Sequence, residues 1–379
     1  MDHDQATLFI NELLRILITR KASDLFLTVG FPPAIKIDGR IERLINQPVG
    51  ERHAEELVYS VMTERQRTEF EFSKECNFAI HREGIGRFRV NVFMQQGFIG
   101  MVMRSIQKKI PTLEELHLPQ VLNEIALSRR GIVLVVGQTG SGKSTTLAAL
   151  VDHRNRNSQD HIVTVEDPIE FVHEHINCMI TQREIGSDTD NWAAALKSAM
   201  RQAPDVIMMG EIRDREALEH ALVFAETGHL CLATMHASNA YQAIDRIINF
   251  FPEERKAQLL MNLSLNLRAM VSQRLISRVD GQGRVAAVEI MLNTPLIRDM
   301  IFRGDVQLMR EHIGKSREAG MQTNDQHLFD LYEAEVISHE DALRNADSVN
   351  DVRLNIKLNS RHTIARDPLL ATPQLVIQR

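Results

Sequence analysis

Gly137-Gln-Thr-Gly-Ser-Gly-Lys143-Ser144 reads Gly-x4-Gly-Lys-Ser and follows a short apolar run, Ile132 to Val136. That run has the length and β-branched content of a buried strand. The residues after the loop, Thr145 to Val151, have helix-forming character. Strand, glycine loop and helix therefore stand in the order a phosphate cradle requires. Gly137, Gly140 and Gly142 let the backbone of Gln138, Thr139, Ser141 and Thr145 turn its N–H groups toward one anion, and the helix N-terminus adds positive dipole. Lys143 can reach the β- and γ-phosphates, and the Ser144 hydroxyl can ligate Mg2+. The stretch predicts a site for a nucleoside triphosphate.

Composition bounds the rest. A chain of 379 residues allows two to three domains, and 44% apolar content supplies real cores. The net charge of −6 argues against a broad nucleic-acid surface. No apolar run approaches the roughly 18 residues a membrane helix needs. The start, Met1 to Phe9, lacks the basic opening and apolar centre of a signal peptide. Cys76, Cys178 and Cys231 are odd in number and far apart, as expected of reduced, buried thiols in a cytoplasmic protein.

The pattern divides near residue 110. Residues 5–20 carry apolar side chains at helical spacing, including Leu8, Phe9, Leu13, Leu14, Ile16 and Leu17. Strands are expected at Asp24 to Val29 and Ala34 to Ile37, the second leading into the turn pair Asp38-Gly39. A helical stretch over 51–70 and strands near 87–93 and 100–106 complete an α+β domain over 1–108. Residues 109–117, with Pro111 and the Lys108-Lys109 pair at their start, read as a linker. From Leu118 to Ser360 strands and helices alternate, which implies a mostly parallel sheet covered by helices. Residues 361–379 hold two prolines and no clear period, and read as a flexible tail.

A phosphate loop needs an acidic partner. Pro204-Asp-Val-Ile-Met-Met-Gly-Glu211 is an apolar strand ending in a carboxylate, and strand tips of a parallel sheet converge at one edge. Glu211 there can orient or deprotonate an attacking water. The competing reading makes it the N-cap of the helix that opens after Ile212. Asp205, at the strand's start, reads as structural. Glu166, Asp167 and Glu170 cluster around Pro168, and such a cluster needs cations, metal-bound water or exposure. His229 and His236 flank a further strand near Leu230 to Thr234 and fall near its opposite ends. His173, His175 and Cys178 lack a fourth ligand at suitable spacing for zinc.

Together these elements resemble the secretion-type ATPases, in the branch of PilT-like proteins that retract type IV pili. GQTGSGKS is similar to that family's Walker A box, VTVEDPIEFVH to its Asp box, APDVIMMGEIRD to its Walker B box and TGHLCLATMH to its His box. Gly320 to Gln326 and Asp341 to Asp347 resemble the C-terminal pattern of the retraction branch. One departure stands out: the branch often carries an Ala-Ile-Arg helix motif, where this chain reads Leu296-Ile-Arg. That fits a companion group within the branch. The cysteine quartet of pilus-extension relatives is absent.

The resemblance implies an α/β fold with a RecA-like P-loop motor domain preceded by a smaller, PAS-like α+β domain. It implies a homohexamer that hydrolyses ATP with Mg2+. In this family pattern Glu211 is the catalytic glutamate, Glu166 and Asp167 belong to the Asp box, with Asp167 able to hold the metal through water, and His229 belongs to the His box. Arg89 and Arg104 match N-domain arginines that reach the phosphates. The implied partners are a pilus platform protein of the inner membrane and a related retraction ATPase, placing the chain in the cytoplasm against that membrane. An accessory ATPase and a nucleic-acid translocase are the alternatives. The acidic balance and the lack of a basic-aromatic tract disfavour the translocase. The lack of an Asn-Lys-x-Asp box disfavours a GTPase.

Overall fold

Valine, isoleucine and leucine at consecutive positions leave a strand no polar face, so Gly131–Val136 can exist only with both faces covered. It is completely buried in the computed structural model, which describes residues 2–37, 39–106 and 109–362. The described chain forms two compact units. One holds residues up to Ile110 together with 164–175 and 180–198. The other holds 111–163, 176–179 and the remainder from Ala199.

The first unit begins with helix His3–Thr19, capped by a reciprocal Asp2–Gln5 box. Its buried stripe is Ala6, Ile10, Leu13, Leu14 and Leu17, while Leu8 faces outward. Six antiparallel strands form its sheet: β1 (Asp24–Thr28), β2 (Ala34–Ile37), β3 (Arg40–Arg43), β4 (Glu75–Arg82), β5 (Gly86–Gln95) and β6 (Phe98–Ile106). Their order is β3-β2-β1-β6-β5-β4. Ile37 pairs with Arg40, so β2 and β3 are antiparallel neighbours, while Asp38 of the expected turn pair lies outside the described residues. The helical stretch over 51–70 proves to be two helices, Glu51–Tyr59 and Glu64–Ser73, because Thr63 and Gln66 form a capping box that starts the second afresh. Along β5, Phe88, Val90 and Val92 point into the core, and Arg89 faces outward.

The larger sheet runs β13-β12-β7-β11-β10-β8-β9. Its strands are β7 (Gly131–Val136), β8 (His161–Glu166), β9 (Met179–Glu184), β10 (Val206–Met209), β11 (Leu230–Met235), β12 (Leu267–Ser277) and β13 (Arg284–Leu292). β7, β10 and β11 are parallel neighbours, β12 joins β7 in parallel, and β13 returns antiparallel to β12. Helices Lys143–Asn157 and Arg215–Glu226 pack on the buried central strands. Asp205 is structural, its carboxylate accepting from the His161 amide at 2.8 Å. Helices Asn324–Glu333, His339–Arg344 and Val349–Asn359 close a second apolar cluster against β12 and β13, around Ile276, Ala287, Leu328 and Ile356. No described helix is long and apolar enough to cross a membrane. Of the expected linker and tail, Lys108 and 363–379 lie outside the described residues.

One buried acid on β13 carries a measurable consequence. Glu289 Oε1 accepts the Ala240 amide at 2.8 Å, holding the start of helix Ala240–Asn249. Burial raises its pKa from 4.5 to about 7, against the smaller opposing pull of that hydrogen bond. Below pH 4.5 the carboxyl is neutral folded or unfolded. Between there and about 7 it ionises only when unfolded, so its contribution to stability is lost as pH rises through that window. At about 1.4 kcal/mol per tenfold in protonation, the loss is on the order of 3 kcal/mol. Unfolding midpoints from pH 5 to 8 should therefore fall more steeply for the native chain than for Glu289→Gln. Parallel curves would contradict this.

Candidate functional site

Parallel strands deliver their C-terminal ends to one edge, and here that edge gathers three motifs. β7 ends at Val136 and opens into the glycine loop, β10 ends at Met209 one residue before Gly210-Glu211, and β11 ends at Met235 before His236. The register pairs Met209 with Ala233 and Met235 with Val136, so the three exits lie side by side. Backbone bonds lock them. The Gly137 amide donates to Met235 O at 3.3 Å, and the Ile212 amide to Thr234 O at 2.9 Å. Thr234 Oγ1 donates to Gly210 O at 2.5 Å.

The loop has the backbone its glycines permit. Gly142 has φ of +87° and caps the helix that starts at Lys143. A Cβ at Gly137 would lie 2.3 Å from Ser141 Oγ and 2.6 Å from Gln273 O, so no larger residue fits there. Lys143 is buried, its ammonium donating to Gly137 O and Gln138 O at 2.9 Å each. Ser144 and Thr145 are half-buried in the first helical turn. Beside Gly137, Gln138 and Thr139 opens a cavity of about 570 Å³ that His236, Gln242 and Arg246 also line.

Glu211 is not a helix cap. Asp214 holds that place, its carboxylate accepting the Ala217 amide at 2.9 Å. Glu211 instead accepts from His236 Nε2 at 3.0 Å and from Arg213 Nε at 2.8 Å. His236 O in turn accepts from Arg246 Nη1 at 3.1 Å. A carboxylate fixed by an imidazole and a guanidinium beside a phosphate cradle has the form of an oriented base.

His229 does not join this edge. It precedes β11 at the opposite end, about 20 Å away along a six-residue strand, and its Nδ1 lies 3.1 Å from Phe224 O and 3.0 Å from Thr227 Oγ1. Within one chain the histidine at the loop is His236, and His229 stands at the far end of the same strand. The signal was present in the sequence, since opposite ends of one strand cannot both meet the same loop.

The other expected residues lie in the first unit. Glu166, at the end of β8, is buried and accepts from Thr164 Oγ1 at 2.8 Å and Gln182 Nε2 at 3.0 Å. Burial lifts its pKa to about 7. Asp167 follows it, at the start of the turn before Pro168. Arg89 and Arg104 are directly opposed across β5 and β6 and both are exposed, with Arg104 Nε 2.7 Å from the buried Asp24 carboxylate. The zinc reading fails on geometry as well. Cys178 Sγ sits against Ser158 Oγ and the Asp160 amide at 3.3 Å each, and His175 Nδ1 accepts from the Ile180 amide. No group of three or more metal-binding side chains is placed together among the described residues.

The family described as Type II/IV secretion system protein matches residues 2–357. The Type IV pilus ATPase PilU of Pseudomonas aeruginosa is 53% identical over 349 residues, covering 92% of this chain and 91% of that one. The Type IV pilus retractation ATPase PilT of the same organism is 44% identical, covering 89% and 98%. A crystal structure of the pilus retraction motor PilT with bound ADP superposes with a TM-score of 0.84 at 39% identity, covering 90% of this chain and 98% of that one.

The lysine supplies the first functional test of the site. Lys143→Ala removes the ammonium held at the loop, and a charge-assisted contact is worth about 1.5–3 kcal/mol. Nucleotide affinity should fall roughly ten- to a hundredfold and turnover should vanish, measured by titration and by phosphate release. Native turnover in a contaminant-free preparation would exclude the loop as the site.

Proposed function

The chain belongs to the type II/IV secretion system protein family, and from that premise we propose that it is the ATPase of a homohexameric ring that drives type IV pilus retraction. The observation that carries the reading is the meeting of the phosphate loop with Glu211 and His236 at one sheet edge.

The loop amides and Lys143 hold the phosphates and neutralise their charge. Glu211 is the base. Its carboxylate takes a proton from water as the water oxygen bonds to the γ-phosphorus, and the bond to the β,γ-bridging oxygen breaks to release ADP and phosphate. His236 and Arg213 keep that carboxylate from turning away. The residues of the loop fit Mg2+, since the half-buried Ser144 hydroxyl directly follows the buried Lys143 at the start of the helix, and on the family pattern Asp167 is assigned to the metal through water. Mg2+ bound there would draw charge from the phosphate oxygens. Glu166, buried and held by Thr164 and Gln182, is assigned to the Asp box on the family pattern. Arg89 and Arg104 are assigned to the phosphates on the family pattern, and their exposed guanidinium groups have the fork such contacts use. A pilus platform protein at the inner membrane and a second retraction ATPase are the partners this reading requires.

The experiment is complementation. In a strain lacking this gene, the native chain should restore pilus retraction and twitching, while Glu211→Gln should leave pili extended and immobile. Restoration only where another retraction ATPase is present would assign an accessory role. Full restoration by Glu211→Gln would refute the account.

A further inference from the structure

A phosphate loop works only if its carbonyl groups face away from the anion, because each is a partial negative charge. In a planar trans peptide the C=O of one residue and the N–H of the next point in opposite directions. Fixing a carbonyl therefore aims an amide. Lys143 holds two of these carbonyls, Gly137 O and Gln138 O. The next one along the loop to be held by a side chain is Ser141 O, and its donor comes from far away in sequence.

That donor is Gln273, on β12, one residue past the pairing of Ser272 with Val136 at the end of β7. The residue is only 3% exposed. Nε2 donates to Ser141 O at 2.8 Å, and Oε1 accepts from Thr146 Oγ1 at 2.7 Å. One amide thus ties the last turn of the loop to the first turn of helix Lys143–Asn157. Its orientation is fixed, since the reverse placement would set two oxygens against each other. The glycines close around this residue: a Cβ on Gly142 would stand 2.7 Å from Gln273 Nε2. Two of the glycines that make the phosphate motif are therefore also the ones that let Gln273 approach.

We propose that Gln273 is the positioning residue of the phosphate loop: by holding the Ser141 carbonyl it aims the Gly142 N–H at the phosphates of a bound nucleoside triphosphate. The inference rests on the nucleotide reading above and adds a residue that touches no phosphate itself. The place needs one donor and one acceptor at the end of a side chain of this length. Methionine matches its length without polar hydrogens, and an ionised glutamate would present oxygen to the Ser141 carbonyl.

The test measures Mg–ATP affinity of the full chain by titration at pH 6 and pH 8, beside thermal unfolding without nucleotide. Gln273→Met should bind about tenfold more weakly while remaining folded. Gln273→Glu should lose more at pH 8 and recover part of the loss, relative to the native chain, at pH 6. There the protonated carboxyl regains a donor, and a purely structural brace would not produce that recovery. Affinity of Gln273→Met within twofold of native, whatever its unfolding midpoint, would overturn the proposal. So would a Gln273→Glu deficit equal at both pH values. Failure of the native chain itself to bind Mg–ATP would instead overturn the nucleotide reading on which this depends.

Discussion

The parallel register of β7, β11 and β10 is the constraint on which the rest depends. Gly131 and Val206 both pair with Leu230, so the three strands start in register, and β10 ends two residues short of the other two. Their side chains are buried on both faces, and a slip of one residue would exchange those faces for every position at once. The loop, Glu211 and His236 are therefore brought to one sheet edge by hydrophobic burial, though far apart in sequence. The chemistry uses polar groups, but their relative positions are a property of the apolar strands beneath them.

Above that edge the polar groups are held by one another. Glu211 is fixed from two sides, and His236 is anchored through its own carbonyl to Arg246 on the following helix. That helix is started by Asn239 and by the buried Glu289. On the opposite flank Arg274, next to Gln273, binds Asn345 O and Asp347, and the Asp347 amide donates to Asp325. The C-terminal helices thus attach at the residue beside the one that holds the loop. Of these contacts the Glu289–Ala240 bond is buried, where an unpaired group costs about 1–3 kcal/mol; the others are half-buried or exposed.

Much of this was legible in the sequence. The loop stands out because glycine spacing and a lysine are local signals, and β7 because six apolar residues in a row admit few readings. Asp205 and Glu211 were separable by their places at the two ends of β10. Other features were not local. β4 carries charged and polar residues at alternate positions with only Cys76 and Phe78 fully buried, so its pattern is weak until β5 is beside it. Residues 164–175 and 180–198 pack with the first unit although the chain order places them amid the motor, and Arg87 pairs with Glu184 across 97 positions. Gln273 is invisible to any motif because its partners lie 127 and 132 residues away. Loss of a strand from the reading is a matter of pattern, whereas loss of Gln273 is a matter of contact order.

The central claim is that Glu211 performs chemistry and does not merely complete the fold. It is tested most directly by rapid mixing of labelled Mg–ATP with the purified Glu211→Gln chain, followed by acid quench and separation of the bound nucleotide. The account requires that the bound fraction remain ATP over times in which the native chain converts it to ADP. Bound ADP appearing at the native rate would contradict it.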